Sequence, residues 1–367
     1  MKPIGIYIHV PFCESKCPYC NFYSEKANDK LMDRYTDEVC KRIETRSKEY
    51  GKLLFDTLYL GGGTPSILGE NRISRIIAAV KDYFQDQKAE ITVELNPAGA
   101  GELDFSLLQK SGVNRLSIGM QSANDRELRQ LSRLHTVKDT EYTIKYAKES
   151  GITNISLDFM LAIPGQSAES IRESIQFCKE QGVQHVSAYL LKIEAETPFY
   201  QKRKQLSLPG EERVCDWYLL ACEELEQYGF MQYEISNFSK SHKRSRHNLK
   251  YWNSEPYLGI GPSAHSFLNG IRFYEQPSLE SFLKAEAVTI DGNGGSQEEY
   301  AMLRLRLTEG LLEDLYRRRF QRTIPRYYYT RAKAYEHEGF VSVNERGISL
   351  TRKGFLVSNE LIAQILL

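Results

Sequence analysis

Four stretches of this sequence, SGVNRLSIGMQ, SGITNISLDFM, QGVQHVSAYLL and YGFMQYEIS, share one grammar: a glycine closes a helical pattern and an apolar strand follows. The glycines are Gly112, Gly151, Gly182 and Gly229. Glycine suits that place because the residue past a helix end often adopts a left-handed conformation that other side chains resist. The same alternation opens the chain, with GIYIHV, an amphipathic stretch over 29–50, LFDTLYL, a helical pattern over 70–85 and AEITVEL. Stacked βα units predict an α/β fold, a parallel sheet curled into a full or partial barrel with its chemistry at the carboxyl ends of the strands.

Composition limits the partners. The chain has 367 residues, 48 basic and 48 acidic side chains and 41% apolar content, enough for two or more cores and without a field of one sign for nucleic acid or anionic lipid. No apolar run of signal-peptide length precedes the first cysteine, no stretch reaches bilayer-spanning length, and seven cysteines is an odd count. A cytoplasmic setting with reduced thiols is therefore expected.

Four of those cysteines, Cys40, Cys178, Cys215 and Cys222, fall in helix-like segments and read as small core residues. The other three, Cys13, Cys17 and Cys20, stand within eight positions in HVPFCESKCPYCNFYS. Three thiolates leave a structural zinc site one ligand short. They suit an iron–sulfur cube whose fourth iron stays open to an outside ligand. A zinc site and redox thiols are the alternatives. Other polar residues fall where strands end: Gly61, Gly62, Gly63 and Thr64 after LYL, Glu94 in VELNP, Gln121 closing LSIGMQ and Asp158 in ISLDFM. Side-chain-free residues let backbone approach a charged ligand, and a carboxylate at a buried strand end needs a partner, either a cap or the polar groups of a nucleotide.

The cysteine spacing after HVPF resembles the cluster loop of the radical S-adenosylmethionine superfamily. YIHVPFCESKCPYCNF, GGGTPS, ELNP, SIGMQS, LSRLH and LDFMLAIPGQ together resemble its oxygen-independent coproporphyrinogen oxidase family, from about residue 4 to the C-terminus. The resemblance implies a partial (β/α)6 barrel in which Cys13, Cys17 and Cys20 ligate a [4Fe-4S] cluster. It implies further that Tyr7 and Tyr19 flank the methionine part of S-adenosylmethionine, that Gly62, Gly63 and Thr64 contact it, that Arg133 faces its carboxylate, and that Glu94, Gln121 and Asp158 hold its nucleoside.

Two branches of that family differ in class. The decarboxylating oxidases carry a further cysteine two positions beyond the third ligand and a longer segment before the cluster; here that position is Phe22, and twelve residues precede Cys13. The haem-chaperone branch, the HemW type, matches in both respects and carries H-N-x-x-Y-W, present as HNLKYW over residues 247–252. That resemblance implies haem as ligand, with His247 on the iron and Tyr251 and Trp252 against the macrocycle. Lys243, Arg244 and Arg246 stand ready for its propionates. A structural loop whose histidine bonds the backbone is the plain alternative. His265 is a second candidate ligand, and His9 is expected to order the cluster loop.

From about 295 the rhythm changes. Helix-like segments precede GFVSVNERGISLT, where Val341, Val343, Ile348 and Leu350 alternate around a Glu-Arg-Gly turn, the mark of a hairpin. A small α+β, winged-helix-like unit serving as lid or docking surface is expected. The arginines of LYRRRFQRTIPR read as a solvated helix face, with no nucleic acid as partner. The expected division is a barrel over 1–235, a connecting segment with HNLKYW over 236–294 and a C-terminal unit over 295–367. The expected function is haem binding and delivery to acceptor haemoproteins, respiratory ones and a peripheral membrane contact included, with nucleotide cleavage an open matter. The alternative is radical decarboxylation of coproporphyrinogen.

Overall fold

The computed structural model describes residues 2–367. Six strands follow one another through the first half: β1 (Ile4–Val10), β2 (Leu54–Gly62), β3 (Gln85–Leu95), β4 (Arg115–Gln121), β5 (Asn154–Leu161) and β6 (His185–Leu190). Each pairs in parallel with the next, so sheet order equals chain order. The sheet stays open at both ends, which makes the barrel partial.

Strand alternation sorts the side chains. Ile6, Ile8, Leu58, Leu60, Ile91, Val93, Leu116, Ile118, Ile155 and Leu157 are buried in the main core. The covering helices, among them Asp29–Tyr50 and Gly69–Tyr83, bring Val39, Ile43, Ile73, Ile76 and Ile77 to the same core. Each fully buried aliphatic contributes roughly 2 kcal/mol. The residues between them are different in kind: Tyr7, Thr57, Tyr59, Glu90, Glu94, Arg115, Ser117, Ser156 and Asp158 form the inner face. Barrels of this type usually fill that space with branched aliphatics. Here it is polar.

The glycine repeat holds for three units and then stops. Gly112, Gly151, Gly182 and Gly229 all have positive φ, between 56° and 115°. The segment after Gly229, however, yields only β7 (Met231–Gln232), which turns back through Tyr233–Ser236 and pairs antiparallel with β8 (Asn237–Ser239). Because β8 is antiparallel to β6, the βα series ends at six strands. On the other side β9 (Tyr257–Ile260) joins β1 in parallel, and β10 (His265–Leu268), β11 (Ile271–Tyr274) and β12 (Thr289–Asn293) follow antiparallel. Residues 236–294 thus extend both edges of one twelve-stranded sheet.

The last part has the element order of a winged helix: helix Gln297–Arg304, β13 (Leu311–Leu312), helices Glu313–Phe320 and Arg326–Lys333, then the hairpin β14 (Val341–Asn344) and β15 (Gly347–Leu350). The hairpin is the expected one, but Gly347 opens β15 and lies so close to β13 that a Cβ there would meet the Leu311 carbonyl at 2.0 Å. This unit docks at the amino ends of the barrel strands, through Arg304 on Asn253 and Arg319 on Ser254. Cys178 and Cys222 are buried as expected, whereas Cys40 and Cys215 are only partly so. No helix among the described residues is long and apolar enough to cross a membrane.

HNLKYW is not a loop. It forms the helix Arg246–Trp252, capped by Ser245 and lying across the amino ends of β1 to β3. Glu90 of β3 accepts the backbone N–H groups of Arg246 and His247 at 2.9 and 3.2 Å, placing a carboxylate at the helix's positive end. Lys250 donates to the Pro3 carbonyl at 3.0 Å and stands 2.8 Å from Asp56. Glu90→Ala should therefore lower stability by about 2 kcal/mol in urea titrations, since it strands one buried and one partly buried donor. A change under a few tenths would show that the helix is held by other contacts.

Candidate functional site

Beyond Val10 the chain forms a loop that carries Cys13, Cys17 and Cys20. Glu25 N–H bonds the Pro11 carbonyl and Cys13 N–H the Glu25 carbonyl, at 2.7 and 3.1 Å, so the loop closes on itself. A second strap comes from β2: Gly63 N–H donates to Val10 O at 2.8 Å and Thr64 N–H to Phe12 O at 2.7 Å. The glycines were expected to admit a ligand, but their first duty is to admit the chain. A Cβ on Gly63 would stand 2.5 Å from Phe12 O, and one on Gly62, where φ is +108°, would stand 2.6 Å from the His9 ring. His9 orders the loop as expected, with Nε2 on the Tyr23 carbonyl at 3.2 Å and Nδ1 on the Tyr7 hydroxyl at 3.0 Å.

Beneath the loop lies a cavity of about 390 Å³. The structure brings to it all three cysteines together with Tyr19, Gly62, Gly63, Thr64, Glu94, Gln121, Arg133 and Asp158. Among the described residues no three His, Cys, Asp or Glu stand close enough to share a single metal ion. A cube engages three different irons and spreads its thiolates further apart than one ion would. Arg133 donates to Cys17 Sγ at 3.4 Å, to Asn96 Oδ1 at 2.9 Å and to the Gly119 carbonyl at 3.0 Å, while its buried Nε has no partner among the described residues. Thr64 Oγ1 is 3.6 Å from Cys13 Sγ.

Two carboxyls line the wall. Glu94 accepts from the Tyr59 hydroxyl at 2.8 Å and from Gly62 N–H at 3.1 Å, and burial raises its pKa to about 7 despite both bonds. Asp158 accepts from Ser117 at 3.0 Å and Ser156 at 3.1 Å, and burial raises it as well. Gln121, with φ at +67°, ends β4 in the left-handed region and aims into the same space. Thiols, a guanidinium and two carboxyls around one void suit a ligand with an amino acid end and hydroxyls. The sequence reading missed Tyr59, Asn96, Ser117 and Tyr189, which share this lining. The period of two along β2 to β6 was the signal for three of them.

Four expected site residues lie elsewhere. Tyr7 sits deeper in the barrel, its ring 6.2 Å from Tyr59 and 6.3 Å from His247. His247 is 1% exposed, with Nδ1 bonded to Thr57 Oγ1 and Nε2 to the Tyr251 hydroxyl, each at 2.8 Å. Burial and the charge of Lys250 hold its pKa at about 3, so the ring is neutral. As it stands, neither nitrogen is left for a metal. Tyr251 meets Tyr257 in a T-shaped pair at 4.6 Å, away from the cavity lining, and Trp252 ends the helix. Of the cations expected to await propionates, Arg244 pairs with Glu309 at 2.7 Å and Arg246 with Asp56 at 3.5 Å, while Lys243 lies beside them in a separate basic hollow at the amino end. His265 is exposed and stacks on Tyr274 at 5.1 Å.

Glu94 gives this site a pH signature. Its folded pKa lies above the unfolded value, so the protein without cofactors loses stability as pH rises from about 4.5 to 7. Glu94→Gln should remove that loss, gaining up to about 3 kcal/mol over the parent near pH 8 in urea titrations. An unchanged pH slope in the variant would place the carboxyl in a wetter setting.

The comparisons with known proteins agree with this geometry. The Radical SAM superfamily profile matches residues 7–178, and the HemN C-terminal domain profile matches 297–357. A Bacillus subtilis protein named heme chaperone HemW is 31% identical, the alignment covering 98% of each chain. A Danio rerio protein named radical S-adenosyl methionine domain-containing protein 1, mitochondrial, is 30% identical over 99% of this chain and 87% of its own. Among solved structures, Escherichia coli coproporphyrinogen III oxidase (HemN), described as a radical SAM enzyme, superimposes with a TM-score of 0.83 at 21% identity, covering 99% of this chain and 90% of that one. The barrel, the cysteine loop and the full-length relatives converge: the chain belongs to the HemW-type family of radical SAM proteins.

Proposed function

We propose that the protein binds haem and hands it to acceptor haemoproteins, carrying a [4Fe-4S] cluster and S-adenosylmethionine as resident cofactors. The radical SAM family implies both cofactors, and the donor set fits them. Cys13, Cys17 and Cys20 would hold the cluster. Gly62, Gly63, Thr64, Tyr19 and Arg133 would take the aminoacyl end of the nucleotide, with Glu94, Gln121 and Asp158 at its ribose and base. When bound, the pair supplies one-electron cleavage of a sulfonium. The chain's own part is to fix that end and exclude water, with Glu94, whose pKa burial raises to about 7, and Asp158, which burial also raises, as its carboxyls.

The observation that favours chaperone over oxidase is Phe22. It stands where the oxidases carry another cysteine, is 62% exposed and borders the cavity mouth. An exposed apolar group at such a mouth suits contact with an acceptor. The relatives named as haem chaperones over nearly the full chain support the same reading.

For the iron ligand the reading keeps His247, with a condition from the geometry. Thr57 fixes Nδ1, as the outer partner of a ligating imidazole does, while the Tyr251 hydroxyl occupies Nε2. Haem and Tyr251 therefore compete for one nitrogen. Haem titration followed in the Soret band should show binding by the parent, none by His247→Ala, and roughly fivefold tighter binding by Tyr251→Phe, the worth of one hydrogen bond. Loss of affinity in Tyr251→Phe would overturn the competition. Protoporphyrinogen formed anaerobically from coproporphyrinogen by the reduced, reconstituted protein would overturn the chaperone reading itself.

A further inference from the structure

Behind the Asp158 carboxyl a line of hydrogen bonds runs through the sheet to the opposite end of the barrel. Ser156 Oγ, two residues back on β5, donates to Asp158 Oδ1 at 3.1 Å and lies 2.7 Å from Nδ1 of His185, its cross-strand partner on β6. His185 Nε2 is 2.8 Å from the Tyr233 hydroxyl, and that oxygen accepts the Ser245 N–H at 3.3 Å. Ser245 caps the helix Arg246–Trp252. Asp158 lines the cavity, while Ser156, His185, Tyr233 and Ser245 are all buried behind it.

This line has one direction. Burial and the charge of Arg115 hold the His185 pKa well below its ordinary value, so the ring is neutral and carries a single N–H. The Ser156 hydroxyl spends its hydrogen on Asp158, so Nδ1 is the nitrogen that donates, and bare Nε2 takes the hydrogen of Tyr233. The phenol oxygen then accepts from Ser245, whose backbone N–H can only donate. Reversed, the line would leave the Tyr233 hydrogen buried with no acceptor among the described residues, and Asp158 would lose a donor. Burial raises the Asp158 pKa and the serine hydroxyls around it oppose the rise, so each such hydrogen favours an ionised carboxylate at the cavity wall.

We propose that His185 is a positioning residue for the ligand of the cavity: by donating from Nδ1 it turns the Ser156 hydroxyl onto Asp158, and so presents that carboxylate as an acceptor for the hydroxyls of a ribose. Tyr233, whose oxygen is taken by the Ser245 N–H, sets the tautomer that lets His185 do this. On the nucleotide reading of the cavity, on which this rests, the ligand is S-adenosylmethionine.

The reconstituted full-length protein is titrated calorimetrically with S-adenosylhomocysteine and with its dideoxy analogue, which lacks both ribose hydroxyls. The parent should bind the first roughly tenfold more tightly, the worth of a hydrogen bond to a charged group. His185→Leu should lose that preference while keeping the parent's affinity for the dideoxy compound. His185→Asn, whose amide nitrogen takes the place of Nδ1, should restore most of the preference. A purely structural role would weaken both ligands together and leave their ratio unchanged, and that result overturns the proposal while nucleotide binding stands. Equal affinities in the parent overturn it as well, by separating the hydroxyls from Asp158. If the parent binds neither compound, the nucleotide reading falls and takes the proposal with it. Nitrogen NMR of protein labelled at histidine is the second arm. The His185 signal, identified by its absence from His185→Asn, should show the hydrogen on Nδ1 in the parent and a shift toward Nε2 in Tyr233→Phe. A hydrogen on Nε2 in the parent overturns the proposal. Should His185→Leu fail to fold, His185→Asn and the tautomer carry the test.

Discussion

A barrel tolerates polar groups on its inner face only when each finds a partner, since desolvation of an unpaired group costs more than most single contacts return. Much of this molecule follows from that constraint. Serines 117 and 156 stand where they can serve Asp158, Tyr59 where it can serve Glu94, and Thr57 where it can serve His247. Tyr233 reaches His185 at 2.8 Å in the same manner. The outer faces of the same strands are plain aliphatic core, so one set of strands carries both the stability of the fold and its chemistry.

The two ends of the barrel solve the constraint differently. At the carboxyl end, the cysteine loop and the glycine turn are bonded to each other through backbone, which leaves their side chains available to a ligand. At the amino end, the helix Arg246–Trp252 seals the interior, and the C-terminal unit buttresses it through Asn253 and Ser254. A motif that looks in sequence like a ligand-binding loop is thereby part of the floor. Any ligand that uses His247 must do so from inside, after a change at Tyr251.

The sequence made the upper half of this arrangement legible. Cysteine spacing, the glycine turn and polar residues at strand ends are local signals, and the structure gathers those side chains around one cavity. The floor was not legible, because its contacts join residues far apart. Glu90 to His247 and Thr57 to His247 span well over a hundred positions, and no local pattern in HNLKYW announces the partner that buries it. The repeat misled at its last unit for a related reason: YGFMQYEIS has the right glycine and apolar residues, yet the turn at Tyr233–Ser236 sends the chain back along β6. Arg115 was read as part of a strand and nothing more; only the register reveals that Thr92 and Asn154 flank it.

The pairing of β9 with β1 bears on how the molecule is made. Strand β1 precedes every other strand of its sheet in the chain, yet one of its two neighbours comes from Tyr257–Ile260. Until synthesis reaches roughly the last third of the chain, β1 presents an unpaired edge, the kind of surface that recruits foreign strands. The nascent protein therefore passes through a stage in which its cysteine loop hangs from an unfinished sheet. Iron–sulfur loading before that stage ends would seat the metal on a scaffold whose first strand still lacks its second neighbour.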